Sequence, residues 1–177
     1  MSSLLKNIIR FILFILVQVL ILDEVPPLHQ FIVPYIYFLF LLWLPFSINR
    51  LLLLIIAFLF GLALDFFTGT PGLHAAPCVL IAYVRPYLLN LLIPQETTEQ
   101  SYLEPSPKNM GWAPYALYVG LLSFLHHLYL VLIEWLQFGN FVYFLGKVAG
   151  TTAVSLLLIF ITELLFSRKG RHRTNAA

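Results

Sequence analysis

The side chains with the greatest potential for binding chemistry lie in one short run of small and acidic residues. Four residues recur at four-residue spacing and end in the turn 69–72, namely Ala57, Gly61, Asp65 and Gly69. Residues at this spacing share one helix face, and small side chains there let another helix approach closely. The Asp65 carboxylate either caps backbone amides of the turn and the next helix or belongs to a contact site for a partner or ligand. At this level both interpretations stay open.

A second polar set lies within the apolar stretch from Ala113 to Phe138. One narrow helical arc carries Gly120, Ser123, His127 and Glu134. Ionisable groups inside a membrane are costly and usually face a bundle interior or a water-filled cavity. If the chain turns near residues 139–140, Glu134 and Lys147 lie at similar depth. We therefore expect these two residues to form an ion pair, with a proton or ion relay as the alternative.

Familiar catalytic and metal-binding patterns are missing from the sequence. His126 and His127 point about 100° apart on a helix, so they do not form a two-ligand metal site on one face. Cys78 is the only cysteine, which excludes an intrachain disulfide and a cysteine-based metal cluster. No P-loop, nucleophile elbow or Gly-rich dinucleotide turn is present. We expect no catalytic residue, no bound metal and no cofactor.

Long apolar stretches must position these residues. The chain is 60% hydrophobic and 10% charged, against roughly 45–50% and about 25% in soluble domains. A membrane crossing needs about 20 mostly apolar residues. The sequence predicts six transmembrane helices in one integral membrane domain, residues 1–177, from Leu4 to Leu22, Phe31 to Phe46, Leu51 to Phe67, Leu73 to Ile93, Ala113 to Phe138 and Phe141 to Phe166.

The basic residues predict the orientation of these helices. Nine of the ten lysines and arginines fall on one side of a six-helix arrangement, and Lys147 is the exception. Cytoplasmic loops carry the excess of positive charge, so we expect both termini, a loop at 94–112 and a basic tail at 167–177 in the cytoplasm. Arg85 is expected to reach the headgroups. A formal net charge of +2, scattered over loops, does not indicate nucleic-acid binding.

The last apolar stretch contains a glycine pair at four-residue spacing, Gly146 and Gly150. Such pairs allow close helix contacts in membranes. We expect a closely packed face here, although the pair alone does not identify what packs against it.

One stretch resembles the signature of a known family. The fifteen residues 61–75 read GLALDFFTGTPGLHA, which is similar to the motif of MreD, the rod-shape-determining membrane protein family of bacteria. In that family a glycine, an aspartate and a Gly-x-Pro turn followed by glycine and often histidine join the third and fourth helices. The matching residues here are Gly61, Asp65, Gly69, Pro71, Gly72 and His74.

The resemblance implies a non-catalytic subunit of the cell-elongation machinery, also called the rod complex or elongasome, in the bacterial cytoplasmic (inner) membrane. Its expected partner is MreC and, indirectly, MreB, RodA and the transpeptidase partner of RodA, besides membrane lipids. Its expected role is in cell shape and lateral peptidoglycan synthesis. The family is also similar in fold to the substrate-binding membrane subunits of energy-coupling-factor transporters. A subunit that binds a small molecule such as a vitamin is therefore the alternative.

Overall fold

The computed structural model describes residues 3–24, 32–93, 104–135 and 140–165, which are helical apart from connecting segments. Five helices in these ranges are long and apolar enough to cross a membrane. The helices are α1 (Ser3–Val17, continued by a π-helical turn at Gln18–Leu22), α2 (Leu39–Leu42), α3 (Arg50–Thr68), α4 (Ala75–Leu92), α5 (Pro107–Met110), α6 (Trp112–Trp135) and α7 (Phe141–Leu165). The chain is a multi-pass membrane protein.

The longer helices pack in the order α3, α4, α6 and α7 as successive antiparallel neighbours. Glu134 and Lys147 meet at one end of the α6–α7 pair, and Tyr115 donates a hydrogen bond to Glu163 at the other end. In the α3–α4 pair, the Arg50 guanidinium lies 5.1 Å from the centre of the Tyr87 ring. The bundle therefore has two distinct polar ends.

The stretch Phe31–Phe46, predicted as the second transmembrane helix, is not a continuous helix. Residues 32–38 are non-helical, and only Leu39–Leu42 form a short helix. Pro34 lacks an amide hydrogen and disfavours helical geometry in the residue before it. The β-branched and aromatic residues around it also have modest helix propensity. The described ranges thus hold five candidate spans, whereas the sequence predicted six.

Residues 32–48, which we name the return segment, run antiparallel to α1 through the bundle. At one end Ile36 is hydrogen-bonded to Gln18, and further along the Trp43 ring lies 5.5 Å from the Phe14 ring, centre to centre. Arg10, one turn earlier in α1, places its guanidinium 5.3 Å from the same Trp43 ring. Every residue from 37 to 44 is buried, so the segment forms part of the protein core.

Side chains from neighbouring helices satisfy the backbone of the return segment at its first end. Non-helical backbone is tolerated at membrane depth where it is buried in protein and its polar groups find partners. The Gln18 side chain accepts from the Ile36 amide at 3.1 Å and donates to the Pro34 carbonyl at 3.1 Å. The Ser155 hydroxyl accepts from the Tyr35 amide at 3.0 Å. Helices α1 and α7 therefore hold this end in place.

Arg85 and Tyr118 satisfy backbone carbonyls of the return segment at its second end. The Tyr118 hydroxyl donates to the Leu42 carbonyl at 3.0 Å, and the Arg85 guanidinium donates to the carbonyls of Leu44 and Pro45. Arg85 is only 2% exposed. The prediction that it extends to the headgroups is wrong, because its guanidinium donates hydrogen bonds inside the bundle to carbonyls of the non-helical part of the return segment.

The predicted cytoplasmic loop at 94–112 is partly folded. Glu104 accepts from Lys6 at 2.8 Å and lies 2.9 Å from Arg10, which ties the segment before α5 to α1. Ser106 caps α5 by accepting from the Asn109 amide. Residues 94–103 and the predicted basic tail at 167–177 lie outside the described residues.

Candidate functional site

The junction between α3 and α4 is organised around the Asp65 carboxylate. One oxygen accepts from the amides of Gly72 at 3.0 Å and Ala75 at 3.1 Å. The other accepts from the His74 amide at 2.8 Å and lies 2.9 Å from Nδ1 of the same residue. A carboxylate at a helix N-terminus satisfies free amides and interacts favourably with the helix dipole. Asp65 is thus a cap for α4 supplied by the preceding helix, in agreement with the capping interpretation.

The glycines of the junction have separate structural roles. A Cβ added to Gly61 would lie 2.7 Å from the Ala75 amide nitrogen and 2.8 Å from the His74 carbonyl oxygen, so the two helices touch here through backbone. Gly69 ends α3 with a φ of 68°, and Gly72 has a φ of 86°. Glycine adopts such angles without the steric cost that other residues incur. With Pro71, these two glycines form the exposed tip of the turn.

A cluster of rings lies beside this junction in the core. Its members are Tyr35, Tyr37, His74, His126 and His127, each at most 7% exposed. The Tyr37 hydroxyl lies 2.9 Å from Nε2 of His126, and its ring centre lies 5.5 Å from that of His74. The return segment therefore connects the Asp65 junction with α6.

His127 belongs to the same cluster but uses different partners. Its Nδ1 lies 2.6 Å from the Ser123 carbonyl oxygen, and its Nε2 lies 3.1 Å from the Ser155 hydroxyl. Ser155 in turn binds the Tyr35 amide. His127 was identified from sequence as an intramembrane polar residue, and the structure places it in a chain of contacts that fixes the return segment.

Sequence reasoning missed the roles of Tyr35, Tyr37 and His126. The two tyrosines lie in the stretch predicted as the second transmembrane helix, and His126 was considered only as a metal ligand. Two tyrosines close to Pro34 were the available signal for a non-helical, buried segment. Within the described ranges, no three histidine, cysteine, aspartate or glutamate side chains are placed to bind one metal ion.

Glu134 and Lys147 form the expected ion pair. Lys147 Nζ lies 2.5 Å from Glu134 Oε2, and the side chains are 16% and 27% exposed for Lys147 and Glu134. The pair joins the facing ends of α6 and α7. It lies at the opposite end of the bundle from Lys6, Arg10 and Arg85.

The two glycines of α7 differ in environment. A Cβ on Gly150 would lie 3.0 Å from the Ile32 side chain, so this position packs against the start of the return segment. A Cβ on Gly146 would meet no atom of the described residues within 4 Å. Among those residues, the closely packed face predicted for this pair is therefore internal at Gly150 and open at Gly146.

Fold and junction together define a mainly helical, multi-pass membrane protein whose core encloses a non-helical segment. Comparison with family models, curated proteins and solved structures finds no match for the chain. The function therefore has to be inferred from the residues and their contacts.

Proposed function

We propose that this protein is a non-catalytic membrane subunit of the bacterial cell-elongation complex, related to the MreD family. In this proposal it binds MreC in the cytoplasmic membrane and helps to maintain cell shape and organise lateral peptidoglycan synthesis. The motif at residues 61–75 carries the proposal. Its distinctive members act together in one junction. Gly61 lets α4 approach closely, and Asp65 caps the N-terminus of α4. Gly69 and Gly72 adopt the positive φ angles of the turn. This mutual dependence supports reading the segment as a signature and not as chance composition.

The course of the return segment supports six crossings for the proposed subunit. The segment starts beside Gln18 at the far end of α1 and finishes beside Arg85, close to the start of α3. With it as a buried, mostly non-helical crossing, the start of α1 and the end of α7 lie on one side. Lys6 and Arg10 share that side, so the positive-inside rule favours assigning it to the cytoplasm.

The exposed side of the junction is the surface that we propose for MreC. Gly61 and Asp65 are occupied by contacts with α4 and are not free for a partner. Phe66 and Phe67 lie next to them on the outer surface and are 82% and 59% exposed. Two large aromatic side chains beside a rigid turn suit a helix–helix contact, because rigid aromatic residues contribute much of the energy of protein interfaces.

The competing function is a substrate-binding subunit of a small-molecule transporter. A fold-level analogy cannot separate the two functions. A transport subunit needs room for its substrate among the transmembrane segments. In the half of the bundle near Asp65, the rings of Phe38 and His126 stack with their centres 4.4 Å apart. The ring centres of Tyr37 and His126 are 5.3 Å apart. This close ring packing fills the core between the return segment and α6, and to that extent favours the structural subunit.

Depletion in the host bacterium tests the proposal. Cells that lose the protein should round up, and the wild-type chain should restore rods. Phe66→Ala should reach normal membrane abundance yet restore rods poorly. Leu91→Ala is the matched control, because Leu91 is 80% exposed on α4 near the opposite end, and it should restore rods fully. Normal rods in depleted cells would contradict the proposed function.

A further inference from the structure

A groove of about 600 Å³ runs along the surface of the α3–α4 pair. On α3 it is lined by Leu54 and Phe58, and on α4 it extends from Ala75 to Tyr83, about 12 Å at a rise of 1.5 Å per residue. Phe58 and Tyr83 are 50% and 58% exposed. Both helices are long and apolar enough to cross a membrane, so the groove opens towards the lipid acyl chains.

Arg50 and Tyr87 lie at one end of this groove. Arg50 is one helical turn before Leu54 on the same face of α3. Tyr87 is one turn after Tyr83 on the same face of α4. The Arg50 guanidinium lies 5.1 Å from the centre of the Tyr87 ring, and the centres of the Tyr87 and Tyr83 rings are 5.6 Å apart. Because Leu54 and Tyr83 line the groove, the next pair along the two helices forms its mouth.

The charge of Arg50 is not neutralised by a carboxylate in the part of the chain that the structure describes. Its side chain is exposed, and the ion pairs found there involve other residues. The cation–π contact with Tyr87 restrains the guanidinium and leaves N–H groups for an anion. Arg50 is also the first residue of α3, at the level where a spanning helix meets the lipid phosphates. A guanidinium binds phosphate strongly, often through two parallel N–H bonds.

We propose that the groove and Arg50 together bind one anionic phospholipid, with an acyl chain along the groove and the phosphate on Arg50. The membrane supplies acyl chains to this face of α3 and α4, so the apolar lining matches the chain but does not choose the headgroup. The unpaired guanidinium at the mouth provides that choice, because it attracts a headgroup with a net negative charge. This site does not depend on the function proposed above.

Native mass spectrometry of the purified full-length chain in detergent tests the proposal. Phosphatidylglycerol and phosphatidylcholine with identical acyl chains are added in equal amounts. The wild-type chain should retain one phosphatidylglycerol with a preference of about fivefold, since one basic residue near a membrane surface contributes about 1 kcal/mol. Equal retention of the two lipids would overturn the proposal.

Two charge variants show whether the preference comes from Arg50. Arg50→Gln should retain both lipids equally. Lys108→Gln is the matched control, because Lys108 is an exposed cation that does not line the groove, and it should keep the wild-type preference. The same loss in both variants would show that overall charge selects the lipid, and would overturn the assignment to Arg50.

Two ring variants test the contact that restrains the guanidinium. Tyr87→Phe keeps an aromatic face beside Arg50 and should bind like the wild type. Tyr87→Ala removes the ring and should lower the preference for phosphatidylglycerol about twofold, since exposed cation–π contacts are weak. A full preference in Tyr87→Ala would contradict the role of this ring at the mouth.

A variant inside the groove tests the place of the acyl chain. Val79→Trp fills the groove and should lower retention of phosphatidylglycerol to the level of phosphatidylcholine. Leu62→Trp is its control, because Leu62 is 44% exposed on α3 outside the groove. A folded Val79→Trp variant that keeps the preference would overturn the assignment to this groove. Thermal unfolding shows whether each variant is folded, and if Val79→Trp is not, the comparison of Arg50→Gln with Lys108→Gln decides.

Discussion

Gly61 of α3 and Ala75 of α4 touch through their backbones, with no room for a side chain at position 61. The contact lies one helical turn from Asp65, whose carboxylate caps α4. The close approach of α3 to α4 and the cap by Asp65 depend on each other, because the carboxylate reaches the amides of α4 only while the two helices are in contact. The motif is therefore first of all a device that fixes the α3–α4 junction.

Gly61→Ala should destabilise the protein by about 1–3 kcal/mol, the usual cost of overpacking a tight contact. Its matched control is Gly120→Ala, because a Cβ on Gly120 meets no atom within 4 Å in the part of the chain that the structure describes. Alanine favours helices over glycine by up to about 1 kcal/mol, so this control should be neutral or more stable. Unfolding in detergent micelles gives both values, and equal stability of the two variants would refute the contact.

The ends of the return segment should face opposite sides of the membrane. In a Cys78→Ala background, Glu24→Cys should react with a membrane-impermeant maleimide in intact cells. Ser47→Cys and Lys108→Cys should react only after permeabilisation. All three positions are exposed, whereas the native thiol is buried. Labelling of Ser47→Cys from outside would contradict the sixth crossing.

The Glu134–Lys147 pair should show energetic coupling. Each single change, Glu134→Ala or Lys147→Ala, leaves a partly buried charge without its partner, so the double variant should lose less stability than the sum of the two losses. Contacting residues usually couple by about 0.5–3 kcal/mol. A double-mutant cycle measured by chemical unfolding gives this quantity, and strictly additive losses would show that the residues act independently.

Glu104 should make the stability depend on pH. Burial raises its pKa, but hydrogen bonds from Lys6 and Arg10 outweigh burial and set the pKa below its usual value. Its contribution is therefore complete above the unfolded pKa, roughly 4.3, and is lost as the pH falls through the lower folded pKa. Glu104→Gln should lower the melting temperature at pH 7 but not at strongly acidic pH.

The control for this pH dependence is Glu24→Gln, because Glu24 is exposed and makes no ion pair among the described residues. It should leave the melting temperature unchanged at both pH values. A loss in Glu104→Gln that stays the same at acidic pH would show that the ion pairs with Lys6 and Arg10 are not its cause.

The sequence was sufficient for features that depend on composition and local spacing. The five long helices follow from runs of apolar residues, and the cap by Asp65 was one of the two interpretations that its place ahead of the turn allowed. The pairing of Glu134 with Lys147 follows from a short hairpin, in which residues equidistant from the turn lie side by side. Each of these inferences needed only local geometry.

The return segment could not be predicted in the same way. Hydropathy predicts that Phe31–Phe46 lies in an apolar environment, but it does not distinguish lipid from the core of the protein. Its conformation depends on partners distant in sequence, since Ser155 binds the Tyr35 amide across 120 positions. The inward orientation of Arg85 has the same origin. The carbonyls of Leu44 and Pro45 can accept its hydrogen bonds only because this part of the segment is not helical.

Co-purification with tagged MreC from detergent-solubilised membranes tests the proposed function most directly. We expect the wild-type chain to be recovered with MreC in a fixed ratio, and Phe66→Ala to be recovered at a clearly lower level despite equal membrane abundance. Leu91→Ala should be recovered like the wild type. Recovery of the chain with an ATPase and a coupling subunit, and without MreC, would contradict the account and would identify a transporter subunit instead.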